Sequence, residues 1–432
     1  LTDSRRMIAD LLQSAQAALG RRDQRAAAAA FERATDHDPQ NPIANNALGM
    51  FALETDRLDT AERHFIAATQ GDPSAPELWM NVATARRRKG DPAGERDALH
   101  RVLDLDQRHI GGIVRLAELH ERRDEYALAT FRWSALLQLA QGIADPAPQF
   151  AAVLDHARSY VEANARRFAD LVEGGLTDIR ATAGRRELRR FDACVDKMLG
   201  RRRIYANECH GLHFPFLPAD EFFDRDHFEW LPAIEAAFDD IRREALSLLD
   251  QGADGIVPYV SMGAGAPTTK WTPLDRSLDW SVFYLWRFGQ RDHDACRRCP
   301  ATARALEKLP MADMPRRAPT AFFSILKPHT RLPAHSGVSN ARAIVHLPLI
   351  VPEGCGFRVG GETRQWHEGE AFVFDDTIEH EAWNDSDQPR VVLIFDVWNP
   401  YITVQERALL RRYFDVADAS GFDPGTLGAV HD

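Results

Sequence analysis

The chain has 432 residues, 44% of them hydrophobic and 27% charged, with a formal net charge of −11. That length predicts two or three domains, and the acidic balance excludes a surface built for phosphate backbones, which needs a basic face. No run approaches the roughly 20 apolar residues of a membrane-spanning helix, and no integral membrane segment is expected. Five cysteines (Cys194, Cys209, Cys296, Cys299 and Cys355) are too few, and odd in number, for a disulfide framework, which predicts a reducing, cytoplasmic setting. The start shows no signal-peptide pattern, although Leu1 in place of Met leaves room for a leader removed ahead of it.

The first third repeats itself every 34 residues. Ala27, Ala61 and Ala129 each stand four residues before a bulky Phe31, Phe65 or Trp133, and Glu95 and Leu99 take those places in the third copy. Pro39 and Pro73 close the first two units, and the pairs Leu48-Gly49, Val82-Ala83 and Leu116-Ala117 recur at one place in three successive units. Small residues let paired helices approach, large ones fill the gap, and stacking buries faces that one unit cannot bury alone. The period and the small/large alternation resemble the tetratricopeptide repeat. Residues 1–141 are expected to form a helical solenoid, used for a protein partner or for assembly.

Residues 142–203 keep a helical period, with Phe150, Val153, Leu154, Ala157, Tyr160 and Val161 on one face, and are predicted to cap the solenoid. Cys194 is expected in a helix core. The arginines of 185–203 are read as a solvated helix face. From 213 the texture turns aromatic and proline-rich (HFPFLPADEFFDRDHFEWLP), which predicts a layer packed on a larger domain, followed by one helix over 233–250 docked through Trp230, Leu231 and Ile234. SVFYLWRF (281–288) has strand propensity and ends in a Gly289-Gln290 turn. Cys296 and Cys299 form a lone C-x-x-C, with His293 nearby; without a second ligand pair they are read as loop cysteines rather than a zinc site.

The β-rich stretch follows: TAFFSIL (320–326), RAIVHLPLIV (342–351), AFVFD (371–375) and RVVLIFDVW (390–398), with Gly360-Gly361 as a two-residue hairpin turn. These runs predict an antiparallel barrel or jelly roll of about eight strands, so that the chain is α+β and multidomain: a solenoid, a connector, and a double-stranded β-helix over 204–432. In such a fold His380 falls on one late strand and Arg390 on the next, at a depth suited to clamping a carboxylate. Two neutral imidazoles with a bidentate keto-acid make a good Fe(II) site with room for O2. His329 and His367 are expected in solvent, and Cys355 in a buried turn.

SILKPHTRLPAHSGVSNARAIVHLPLIVP (324–352) and WHEGEAFVFDDTIEHEAWNDSDQPRVVLIFDVWNP (366–400) resemble the aspartyl/asparaginyl β-hydroxylase family of Fe(II)- and 2-oxoglutarate-dependent oxygenases. The resemblance implies that His335 and His380 bind the iron, and that Ser324, His346 and Arg390 bind 2-oxoglutarate, with Arg390 and Ser324 on its distal carboxylate. It also implies that Arg342 contacts substrate as the first of two basic positions, the second of which is Ile344 here. Gly337 stands where most such oxygenases carry a carboxylate, so a two-histidine site with water at the third position is implied. Asp375 or Asp376 is expected to hold such a water or to end a strand. The implied substrate is an Asp- or Asn-type side chain of a peptide or protein, with a small amino acid or metabolite, or an inactive scaffold, as the alternatives.

Overall fold

The computed structural model describes residues 2–250, 252 and 254–420. It falls into two compact units, residues 1–188 and 189–432.

The first unit is built from antiparallel helix pairs: α1 (Thr2–Gly20) with α2 (Gln24–His37), α3 (Pro42–Glu54) with α4 (Leu58–Gly71), α5 (Pro76–Lys89) with α6 (Pro92–Leu105), and α7 (Ile110–Arg122) with α8 (Tyr126–Leu139). Their starts are written in the sequence. Asp23, Asn41 and Asp91 accept the backbone N–H three residues on, and Pro42, Pro76 and Pro92 occupy the first helical turn, where no N–H is needed. The repeat positions all point into the core: Ala27, Ala61, Glu95 and Ala129 are at most 1% exposed, and Phe31, Phe65, Leu99 and Trp133 at most 2%. A Cβ placed on Gly49 would lie 2.5 Å from the Phe65 ring, so glycine is what lets that ring rest against the α3 backbone. The long helix α9 (Pro148–Arg180) adds Leu154 and Ala157 to the core of the last pairs, with Phe150, Val153, Tyr160 and Val161 packed beside them.

Helix α10 (Arg185–Met198), most of it in the second unit, leads into an irregular aromatic segment whose Phe222, Phe223 and Phe228 are buried. Three departures from expectation lie here. Cys194 is exposed rather than in a core. Arg189 and Arg202 are not solvated: Arg189 bridges Asp220 and Glu362, and Arg202 pairs with Glu221. The single helix expected over 233–250 is two, α11 (Leu231–Glu235) and α12 (Phe238–Asp250), with Leu231 and Ile234 buried as expected.

Strands β1 (Val257–Pro258), β2 (Trp280–Arg287) and β3 (Gln290–Arg291) come next, then α13 (His293–Arg298) and α14 (Pro300–Leu306). Cys296 is therefore helical rather than in a loop, and Cys299 is the junction between the two helices; both are buried, and burial pushes both thiols up, Cys299 to about 12. Eight further strands follow: β4 (Ala321–Leu326), β5 (Thr330–His335), β6 (Arg342–Ile350), β7 (Cys355–Val359), β8 (Glu362–Arg364), β9 (Phe372–Phe374), β10 (His380–Asn384) and β11 (Arg390–Trp398); α15 (Val404–Ala419) closes the described chain. They form two antiparallel sheets, β1-β2-β4-β11-β6-β9 with β3 paired to β2, and β5-β10-β7-β8. Strands β4 to β11 pass repeatedly from one sheet to the other, which is the jelly-roll order. Gly360-Gly361 joins β7 to β8 as a tight turn, with Gly360 at φ +54°.

The period-2 alternation divides the large sheet. On β11, Val391, Leu393, Phe395 and Val397 face a core shared with α11, α12 and α14. Arg390, Val392, Ile394 and Asp396 take the opposite face, where Val392 and Ile394 pack with Leu332, Phe357, Val359 and Ala382 of the small sheet. That second face carries the polar groups.

Candidate active site

His335 ends β5 and His380 begins β10, and the register places them directly opposite one another. Their ring centroids are 4.1 Å apart. Each Nδ1 lies beside a carbonyl of its own chain segment, 2.7 Å from Pro333 O for His335 and 3.0 Å from Ile378 O for His380. Nδ1 must carry the proton to donate there, so Nε2 is the basic nitrogen of both rings. Burial, and for His335 also the neighbouring His380, keeps both neutral: His335 well below the usual range and His380 down to about 4. Trp271 stands edge-on to His335 at 4.9 Å.

No carboxylate follows His335 at the usual spacing. A Cβ on Gly337 would meet Asp376 Oδ2 at 2.2 Å, so the side chain of Asp376 fills the space that a residue at 337 would need. Asp376 is 8% exposed, its Oδ1 has no protein partner, and burial raises its pKa to about 7. Asp375 turns the other way and accepts from Thr377 N, Thr377 Oγ1 and Asn207 Nδ2. Asp375 thus makes the strand-end turn, while Asp376 faces the histidines' side. Among the described residues no group of three or more His, Cys, Asp or Glu is arranged to hold a metal ion.

On β11, Arg390 is 1% exposed and has no acidic partner among the described residues. Its Nη2 donates to Ser324 Oγ at 3.2 Å, which also receives Trp280 Nε1 at 3.2 Å. Burial lowers its pKa to about 10, which still leaves it charged at neutral pH. The guanidinium sits 5.0 Å over the Trp366 ring, and His346 stacks on the same ring at 5.4 Å and 9°. Arg390 Nε, His346 Nδ1 and Trp366 Nε1 are all buried with no protein hydrogen-bond partner. Burial and the Arg390 charge hold His346 neutral. Ser324, His335, His346, His380 and Arg390 thus lie on the facing surfaces of the two sheets.

Arg342 lies elsewhere on that face. It is 8% exposed, and its Nη1 donates to Asp396 Oδ2 at 2.7 Å. His329 and His367 are exposed, and Cys355 starts β7 with its thiol on Asn384.

Sequence reasoning missed Trp366, which touches both His346 and Arg390, and the strap Asn207–Gly211. Glu208 N bonds Thr377 O, His210 N bonds Gly337 O, and Gly211 N bonds Val338 O. The strap thereby ties together the loops that carry both histidines. Trp366 stood inside the quoted motif but has no fixed spacing to its partners. The strap combines these backbone groups with the Asn207 amide on Asp375 and Thr377 and His210 beside Ser336, all of them contacts to residues 126 or more positions away that no local pattern signals.

The two antiparallel sheets thus carry the paired histidines and the buried arginine on their inner surfaces, the arrangement that the resemblance to an oxygenase family implies. Residues 235–400 match the family described as "Aspartyl/Asparaginyl beta-hydroxylase", so the second unit contains a hydroxylase domain of that family. The chain is 37% identical over 187 residues to the human "Aspartyl/asparaginyl beta-hydroxylase", covering 42% of this chain and 23% of the relative. It is 34% identical over 196 residues to the Rhizobium tropici "Ornithine lipid ester-linked acyl 2-hydroxylase", covering 45% of this chain and 66% of the relative. The chain spans less than a quarter of the human relative and 19% of its mouse counterpart. The helical repeats align with the tetratricopeptide-repeat protein YrrB at 14% identity over 35% of this chain and 76% of that one, with a TM-score of 0.30, a likeness too slight to add to the helix pairs seen directly.

Proposed function

We propose that the second unit hydroxylates an unactivated C–H using Fe(II), 2-oxoglutarate and O2, with a peptide or protein side chain of Asp or Asn type as the first reading of the substrate. The observation that carries this is the buried guanidinium with no carboxylate among the described residues, on the sheet surface that faces two neutral imidazoles whose basic nitrogens are both Nε2. A fully buried, unpaired charge is costly, and a dianionic keto-acid is the ligand that offsets it. The donor set fits the metal as well, since neutral imidazoles suit Fe(II) and their carbonyl-bonded Nδ1 atoms fix the ring planes.

In this reading His335 and His380 hold the metal, Arg390 and Ser324 hold the distal carboxylate of 2-oxoglutarate, and His346 stands beside the end that chelates. When bound, the metal and 2-oxoglutarate supply the oxidising power that activates O2 and turns C–H into C–OH, leaving succinate and CO2. The protein's own share is placement and dryness. Trp271, Phe357 and Phe374 wall His335 and His380, Trp366 stacks on His346, and Asp376 beside Gly337 is placed to hold a water where a third ligand would stand. We assign the stacked helix pairs of the first unit to a protein partner or the substrate polypeptide, by the general use of such arrays. A small molecule carrying an aliphatic chain, such as the acyl group in the name of the Rhizobium relative, is the second reading, favoured by the row Ile394, Phe322 and Tyr284 on the same sheet face, in which Ile394 and Tyr284 stay partly exposed.

The test is succinate formation from 2-oxoglutarate with added Fe(II). His380→Ala is expected to lose at least about 100-fold, the scale on which even outer partners of a metal site matter. Equal turnover in wild type and variant would sink the reading.

A further inference from the structure

The two positions at which the resemblance expects a basic pair leave no guanidinium without an acid. Arg342 Nη1 donates to Asp396 Oδ2 at 2.7 Å, and Asp396 is 2% exposed. Ile344, the second position, carries no charge, and its register partner on β11 is Asp396 itself. A substrate carboxylate arriving beside β6 would compete with one already buried against Arg342.

A cation stands instead beside the imidazoles. Lys270 lies between β1 and β2, is exposed, and donates from Nζ to Ala334 O at 2.8 Å. Ala334 immediately precedes His335 on β5, and Trp271, the residue after the lysine, stands edge-on to the His335 ring at 4.9 Å. Lys270 is thus fastened to the His335 neighbourhood twice, through a carbonyl and through its own chain neighbour. Its charge bears on His335 and His380 alike, lowering both. Arg358, which also bears on His380, is bridged by Glu379 and Glu381, whereas Lys270 has no acidic partner among the described residues. An ammonium has three N–H donors, and the Ala334 carbonyl takes one of them.

Resting on the function proposed above, we infer that Lys270 receives the carboxylate of the substrate, and that the substrate side chain is therefore Asp rather than Asn. In aspartate the carboxyl carbon is bonded directly to the β-carbon, so a cation fastened beside the imidazoles fixes where that carbon sits. The two remaining N–H donors suit two carboxylate oxygens. An amide offers one acceptor oxygen, no charge, and an NH2 that would face the ammonium. Lys270 thereby supplies, from the segment between β1 and β2, the positive charge that Ile344 lacks. Because the lysine is exposed, the discrimination is that of a partly solvated pair, about threefold to tenfold, and it weakens with salt.

The protein is loaded with Mn(II) and saturating 2-oxoglutarate, and two probes are compared by NMR: the α-amide of N-acetyl-aspartate and the α-amide of N-acetyl-asparagine. Paramagnetic broadening is read as the excess over that seen with His380→Ala. In wild type the aspartate probe is expected to broaden about threefold to tenfold more than the asparagine probe, with the difference shrinking at about 0.5 M salt. Lys270→Met, which keeps an aliphatic chain beside Trp271 and removes the charge, is expected to make the two probes equal. Lys270→Arg is expected to keep the preference. Equal broadening in wild type, no broadening of either probe, a preference that survives in Lys270→Met, or one that is lost in Lys270→Arg as well, overturns the inference. Failure of the underlying reading looks different: Mn(II) would then broaden 2-oxoglutarate itself no more in wild type than in His380→Ala.

Discussion

Glu95 in the solenoid and Arg390 in the jelly roll are buried to the same degree, 1% exposed each, and they mean opposite things. Glu95 stands where the other repeats have alanine, and both its oxygens are taken, by Arg115 at 3.4 Å and Arg122 at 2.8 Å. Arg390 has a hydroxyl and an indole face but no acid among the described residues. A buried charge with its partners in place is part of the architecture. A buried charge without one marks a site shaped around something that the chain itself does not contain.

The contrast can be broken or sharpened from either side. In the solenoid the apolar repeat positions should dominate: Phe65→Ala is expected to cost about 3–5 kcal/mol, seen as an earlier loss of helical circular dichroism on urea titration. In the jelly roll Arg390→Met should weaken 2-oxoglutarate binding by at least about 100-fold in calorimetry, the effect of removing a charged bidentate partner, while the melting temperature holds or rises because an uncompensated buried charge is gone. A fall in stability comparable to that of Phe65→Ala would mean that Arg390 is structural after all.

The histidine pair gives a smaller effect with a definite sign. Burial pulls His380 down to about 4, and His335 is also well below its usual value, so both stay ready for a metal in mild acid. Co(II) affinity is expected to fall less than about threefold between roughly pH 7.5 and 5.5, where two ordinary imidazoles of pKa about 6.5 would lose about a hundredfold. The same depression adds stability that is complete above the unfolded pKa and is lost as pH falls from about 6.5 toward 4, because only the unfolded chain takes up the proton there. Smallest of all, Glu95→Ala is expected to cost under about 1 kcal/mol. Arg115 and Arg122 are partly exposed and can turn to solvent, and alanine already fits the equivalent place in three units.

The two regions also differ in how far the sequence reveals them. Ala27, Ala61 and Ala129 with their bulky followers announce the helix pairs because solenoid contacts are local, so the period in the sequence is the period in space. The β-runs of 320–398 and the Gly360-Gly361 turn were equally legible, since alternation and turn chemistry are short-range properties. The site residues Ser324, His335, His346, Arg342, His380 and Arg390 entered through resemblance and spacing, and all six prove to lie on the two sheets. Where the readings went astray, the cause was a partner distant in sequence: Arg189 looked solvated until Asp220 and Glu362 came beside it, and Cys194 looked like core on a helix whose face turned outward.

The sequence by itself thus determined the repeat, the strands and which side chains have the chemistry for a site. Only the tertiary structure decided which of those charges are free. Strand register, set between strands distant in sequence, gave Asp396 to Arg342 and gave Arg390 Ser324 and Trp366 but, among the described residues, no acid. No local pattern encodes that difference, because the energy of a buried charge depends on what the fold brings within a few ångströms of it.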